Sequence, residues 1–161
     1  MSVINKILFP STPGNLYGSV LLFIVRIVFG VTFMTHGLQK WANLDELLQG
    51  FPDPLGVGNN VSLVLALFAE LICPLGVIFG FLYRLALIPM IFTMLIAFFV
   101  IHGSDPFAVS ELSFLYLTVF TILIITGPGR LSIDSLIARA INKRKRNSYG
   151  AYSGSGLNYS R

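Results

Sequence analysis

Four stretches of about 20 mostly apolar residues, each long enough to cross roughly 30 Å of hydrocarbon as a helix, constrain this chain more than any other feature. They lie at residues 17–38, 61–82, 85–101 and 107–126, and each is rich in Leu, Ile, Val and Phe. The second and third contain Pro74 and Pro89, which membrane helices tolerate when neighbours satisfy the freed carbonyls. Hydrophobic types make up 55% of the 161 residues and charged types 11%. About a quarter would be charged in a soluble domain, so that class is excluded. A single Cys excludes a disulfide scaffold and a Cys-based zinc module, and the apolar content excludes a disordered chain. Lys6 before an apolar run resembles a secretory leader, but the run is too long and no small-x-small cleavage site follows. The first span is expected to be retained.

The net charge of +4 is distributed as a topology signal rather than a nucleic-acid footprint. Lys6 precedes span one, Arg84 lies between spans two and three, and Arg130, Arg139, Lys143, Arg144, Lys145 and Arg146 follow span four. The other two connections carry Lys40 beside Asp45, Glu46 and Asp53, and Asp105 alone. Both termini are therefore expected in the cytoplasm, with an all-α, up-down-up-down four-helix bundle in the membrane. The chain divides into a cytoplasmic segment 1–16, the four-span domain 17–126, an interfacial segment 127–146 and a flexible tail 147–161. After Gly127, Pro128 and Gly129, Ser132 can cap a new helix whose Ile133, Leu136, Ile137, Ala140 and Ile141 recur at helical spacing. This predicts a C-terminal cytoplasmic amphipathic helix lying on the bilayer. Its basic patch, Arg139, Lys143, Arg144, Lys145 and Arg146, suits anionic headgroups.

Ionisable side chains at bilayer depth are costly and normally face a partner in the bundle interior. Arg26 and Glu70 each lie nine residues inside their spans from opposite sides, a depth of about 13 Å at 1.5 Å per residue. Equal depth predicts a midplane ion pair between them, or a shared ligand contact. Pro74 adds an acceptor there, because it cannot donate to the Glu70 carbonyl. The pair reads either as a structural clasp or as a carboxylate linked to proton or ligand binding.

A second polar group gathers toward the outer end: His36, Gln39, Lys40, His102, Asp105 and Glu111. Gly30, Gly37 and Lys40 share a side of helix one with Arg26, which allows close helix approach. Two histidines on different helices could ligate haem, but interfacial histidines bonded to Asp105 or Glu111 are the simpler reading, and no metal motif appears. A quinone or other small hydrophobic molecule suits the cluster better, its carbonyls meeting His or Arg donors beside an apolar wall. Cys73 has no second Cys to pair with, and Trp41 reads as an interfacial anchor. No set of catalytic residues emerges.

These residues together resemble the DoxX family of small four-span membrane proteins. The likeness runs through Arg26, Gly30, His36, Gly37 and Lys40, then AELICPLGVIFG with Glu70, Pro74, Gly76 and Gly80, then Arg84. It continues through residues 97–102, Phe107 and Glu111 to GPGRLSID, which ends at Asp134. The resemblance implies a bacterial or archaeal cytoplasmic (inner) membrane location and association with oxidoreductase assemblies, in some members with quinone as acceptor. The function expected is thus a redox-associated accessory subunit with a quinone or small hydrophobic ligand pocket, working with a membrane protein partner or as a homo-oligomer. The alternatives are a small transporter or channel subunit, or a pure assembly factor. The lack of flavin, iron–sulfur or thiol-pair motifs argues against independent electron transfer.

Overall fold

The structure, a computed structural model, describes residues 16–154, with side chains described as far as Lys143. The predicted N-terminal segment, most of it, and residues 155–161 of the predicted tail lie outside these. Helix α1 spans Leu16–Ala42 and is followed by a one-turn α2, Leu44–Leu47. Helix α3, Asn59–Leu67, continues through a π-helical turn, Phe68–Ile72, into α4, Cys73–Phe79. Helix α5, Tyr83–Ile96, likewise ends in a π-helical turn, Ala97–Ile101. Helices α6, Phe107–Thr126, and α7, Ile133–Gly154, complete the order. The four spans are therefore Leu16–Ala42, Asn59–Phe79, Tyr83–Ile101 and Phe107–Thr126.

Span one packs on span two, two on three and three on four, with span four also against span one. Phe33, Val77, Tyr83, Leu87, Met90 and Phe120 fill the centre. Outward-facing positions are mostly apolar, and only 17% of the third span's most apolar window is buried, so the remaining surface must meet lipid. Thr32, Thr118 and Thr121 on that surface donate their hydroxyls to carbonyls of their own helix, at 2.7–2.9 Å, as hydrocarbon requires.

Span two stops at Phe79, three residues before the predicted limit. Gly80 takes a left-handed conformation (φ 65°), and the Phe81 N–H donates to the Gly76 carbonyl at 2.9 Å while the Gly80 N–H donates to Val77 at 3.2 Å. This paired closure ends a helix where a side chain would be strained. A Cβ on Gly80 would also stand 2.5 Å from that of Ser132, so the turn is held against the segment after span four.

That segment is tied to the bundle by Asp134. Its Oδ1 accepts from the Leu82 N–H and its Oδ2 from the Tyr83 N–H, both at 3.0 Å, while its own N–H donates to Gly80 O at 2.9 Å. The carboxylate thereby caps α5 from 51 residues away. Burial pushes its carboxyl above the ordinary range, against the opposing pull of those two N–H groups and of Arg26. Ser132 caps α7 as its spacing predicts, the Ser135 N–H donating to Ser132 Oγ at 3.1 Å. Ile133, Leu136, Arg139, Ala140 and Lys143 are exposed on α7. The helix runs to Gly154, past the point where a flexible tail is predicted to begin at 147. The side chains of Arg144, Lys145 and Arg146 lie outside the described residues.

Candidate functional site

The site begins with a distortion of span two. Pro74 has no N–H to donate to the Glu70 carbonyl four residues earlier, and next to it the Cys73 N–H reaches back five residues to Phe68 O. The wider turn carries Glu70 on a face packed against helix one. Gly37 lies opposite: a Cβ there would stand 2.9 Å from the Glu70 Cβ and 2.8 Å from Leu71 Cδ2. One turn further along α1, the Lys40 ammonium reaches both Glu70 oxygens, at 2.5 and 2.6 Å. Glu70 is 2% exposed, whereas the Lys40 side chain retains 29% exposure, an alkyl stem along the wall with its charge on the carboxylate.

The predicted Arg26–Glu70 ion pair does not form. Arg26 is fully buried at the other end of the bundle, among carbonyls: Nε donates to Val77 O at 3.0 Å, Nη2 to Ile78 O at 2.9 Å and Nη1 to Pro128 O. The guanidinium lies 5.6 Å from the Phe23 ring and 5.5 Å from that of Tyr83. Equal depth fails because it assumes both spans begin level at opposite surfaces. In the actual register Gly30 meets Ile78 and Pro74 while Gly37 meets Glu70, which leaves Glu70 opposite a point about 16 Å up helix one from Arg26. Lys40, not Arg26, is the cation within its reach.

Above the pair lies a cavity of about 530 Å³, walled by all four spans and roofed by residues of the connection between spans one and two. The roof, with Phe51, Pro52, Pro54 and Leu55, is stapled by Asp53. Its carboxylate accepts from the Gly58 N–H at 2.7 Å, the Val57 N–H at 3.1 Å and the Ser62 hydroxyl at 2.7 Å. The Ser62 hydroxyl first, then the Gly58 N–H, hold the Asp53 carboxyl below the usual carboxylate range. Phe33, Phe92 and Leu112 give the cavity an apolar wall.

Of the predicted outer cluster, His36, Lys40 and His102 line this cavity, joined by Glu70. The other members do not. Gln39 is exposed, about 100° round the helix from Lys40. Asp105 is exposed and holds His102 Nδ1 at 2.8 Å. Glu111 is exposed on α6, about 150° from the mean direction of Leu112, Ser113 and Tyr116, which do face the cavity. No three His, Cys, Asp or Glu side chains come together to suit a metal among the described residues.

Four further polar groups, Ser62, Thr93, Ser113 and Tyr116, line the cavity and are not identified by the sequence pattern. Isolated Ser, Thr and Tyr residues in apolar spans carry no spacing signal, and only the packing distinguishes them. Unlike the lipid-facing threonines, Thr93, Ser113 and Tyr116 make no side-chain hydrogen bond within the described residues. Nor does His36, whose ring stands edge-on to Tyr116 at 5.8 Å. Lys40 uses two donors on Glu70 and has a third. The arrangement offers a molecule in the cavity several donors and acceptors set in a largely apolar wall, which is the usual anatomy of a small-molecule site.

The DoxX family profile matches residues 21–103, which include Arg26, Lys40, Glu70 and both π-helical turns. An uncharacterised Haemophilus influenzae protein is 30% identical over 126 residues, covering 73% of this chain and 83% of the relative. The Escherichia coli inner membrane protein YqjF is 35% identical over 121 residues, covering 72% and 91%. CatD of Bacillus subtilis, named as a candidate oxidoreductase, is 27% identical over 115 residues, covering 71% and 84%. No solved structure matches the chain. Four apolar spans, the family match across the first three and relatives aligned over most of both lengths agree: the chain is an integral membrane protein that belongs to the DoxX family.

Proposed function

We propose that this protein binds a small hydrophobic, carbonyl-bearing molecule of the quinone class in the cavity above Lys40 and Glu70, as the membrane subunit of an oxidoreductase assembly. One observation carries the reading: a Lys40–Glu70 pair whose carboxylate is buried lines a largely apolar cavity of about 530 Å³. The residues suit the group. The third Lys40 N–H, the Tyr116 hydroxyl and His36 can donate to carbonyl oxygens, and Phe33 and Phe92 present aromatic wall to a ring. Such a ligand would supply the redox chemistry, which the chain's own side chains do not offer. Glu70 and Lys40 would orient it and hold a proton beside its oxygens, while the roof and the apolar wall exclude water.

The candidate-oxidoreductase name of CatD and the inner-membrane name of YqjF support this reading. The distribution of Lys and Arg along the sequence supports an orientation with both termini in the cytoplasm. The test is quinone binding by the full-length protein in lipid nanodiscs, followed by thermal stability. Saturable stabilisation is expected, with affinity lost in Lys40→Met and Glu70→Gln. Correctly folded protein that takes up no quinone, or variants that bind as well as the parent, would reject the assignment.

A further inference from the structure

The cavity is not closed on all sides. Along the second and third spans its lining side chains are themselves half exposed: Leu65 by 50%, Phe68 by 47% and Phe92 by 50%. Phe68 lies nine residues from Asn59, and Phe92 nine residues from Ile101, so both stand about 13 Å below the loop end of the bundle. At that depth an opening in a membrane protein meets lipid tails rather than water. Both π-helical turns flank it, one beginning at Phe68 and the other at Ala97, just above Phe92. π-helical turns interrupt regular side-chain packing and recur at functional sites.

The volume sets a second condition. About 530 Å³ suits a ring-sized head with a short chain, but cannot also enclose an isoprenoid tail of bilayer length. A ligand with such a tail must leave it outside. Lys40 and Glu70 bring charge to the cavity, and Phe68 and Phe92 border it, half exposed, at hydrocarbon depth. The two features divide an amphiphile between them.

We propose that the gap between spans two and three, framed by Phe68 and Phe92, is a lateral portal to the bilayer, and that the ligand is a membrane-dissolved amphiphile whose single polar head rests at Lys40–Glu70 while its long apolar tail stays in lipid. This rests on the cavity being a ligand site, and adds the route and the second half of the ligand. A tail surrounded by lipid both before and after binding adds nothing to the affinity, since no apolar surface changes its solvent.

The experiment uses full-length protein in nanodiscs and three quinones with one head group: tailless, decyl-tailed and with an isoprenoid tail of bilayer length. The two tailed forms are expected to bind alike at equal membrane mole fraction, within about threefold. Phe92→Asn removes one ring from the wall and places an amide beside the emerging tail, so it should weaken both tailed forms about tenfold more than the tailless one. Ile122→Asn, on an exposed face of span four, should change none of them. Binding by the tailless form alone overturns the portal and leaves the cavity a sealed site. Equal effects of Phe92→Asn on all three also overturn it. No binding by any form rejects the ligand site and the portal together.

Discussion

Replacing Arg26 tests the account of the bundle most directly. Its guanidinium is fully buried and donates to the carbonyls of Val77, Ile78 and Pro128, joining the first span to the end of the second and to the segment after the fourth. Hydrogen bonds to a charged partner are worth about 1.5–3 kcal/mol each. Arg26→Leu removes three, yet it also relieves the burial of a cation, and the Gly80 N–H still reaches Val77 O at 3.2 Å. The carbonyls of Ile78 and Pro128 lose the guanidinium, and the net loss should be about 2–4 kcal/mol. Arg26→Lys should do no better than Leu, because one ammonium cannot span three carbonyls on two segments while its charge stays buried. Stability would be read by denaturant titration in mixed micelles, following helix content. A double-mutant cycle of Arg26→Leu with Glu70→Gln completes the test: with no shared partner the effects should add to within about 0.5 kcal/mol. Rescue by Lys, or a coupling above about 1 kcal/mol, would refute the carbonyl clasp and restore a direct charge interaction between the two positions.

Three further outcomes follow from the structure. Lys40→Met and Glu70→Gln should each destabilise the protein, and their cycle should show a favourable coupling of about 0.5–3 kcal/mol; additivity would mean the ion pair contributes nothing. The Asp53 carboxyl titrates below its unfolded value of about 3.9, so its support of the roof is complete above that pH and disappears as pH falls through the lower folded value. Amide protection of Val57 and Gly58 should drop over that acid window in the parent and be low throughout in Asp53→Ala; protection independent of pH would show that the staple is idle. Gly37→Leu should separate helix one from the π-helical turn at Glu70, since even a Cβ would come within 2.9 Å of it. It should cost about 1–3 kcal/mol and break the Lys40–Glu70 contact, a loss that quinone affinity would also register.

The architecture was legible because lipid leaves the backbone few choices. Hydropathy and length located all four spans, and Gly127-Pro128-Gly129 with Ser132 marked the end of the fourth and the start of α7. The end of span two was missed, since its limit at Phe79 depends on a left-handed Gly80 packed against Ser132, a contact more than fifty residues away in sequence. Among the polar residues, His36, Lys40, Glu70 and His102 were found by type and depth and do share one cavity. Gln39 and Glu111 satisfied the same criteria but point elsewhere, because depth along a helix does not specify rotation about it.

Residue type and order alone determined that this chain must span a membrane four times, that it belongs with small four-span bundles, and that its intramembrane charges need partners. Those conclusions depend on the energies of single residues in hydrocarbon, which local sequence carries. Which partner each charge takes was decided only by tertiary structure. The steric fit of Gly30 and Gly37 against span two sets the register between the helices. That register gives Glu70 to Lys40 and Arg26 to three carbonyls. A shift of helix one by about three turns would bring Arg26 level with Glu70 and carry Lys40 away from it without changing a residue, so only the packed bundle can distinguish them.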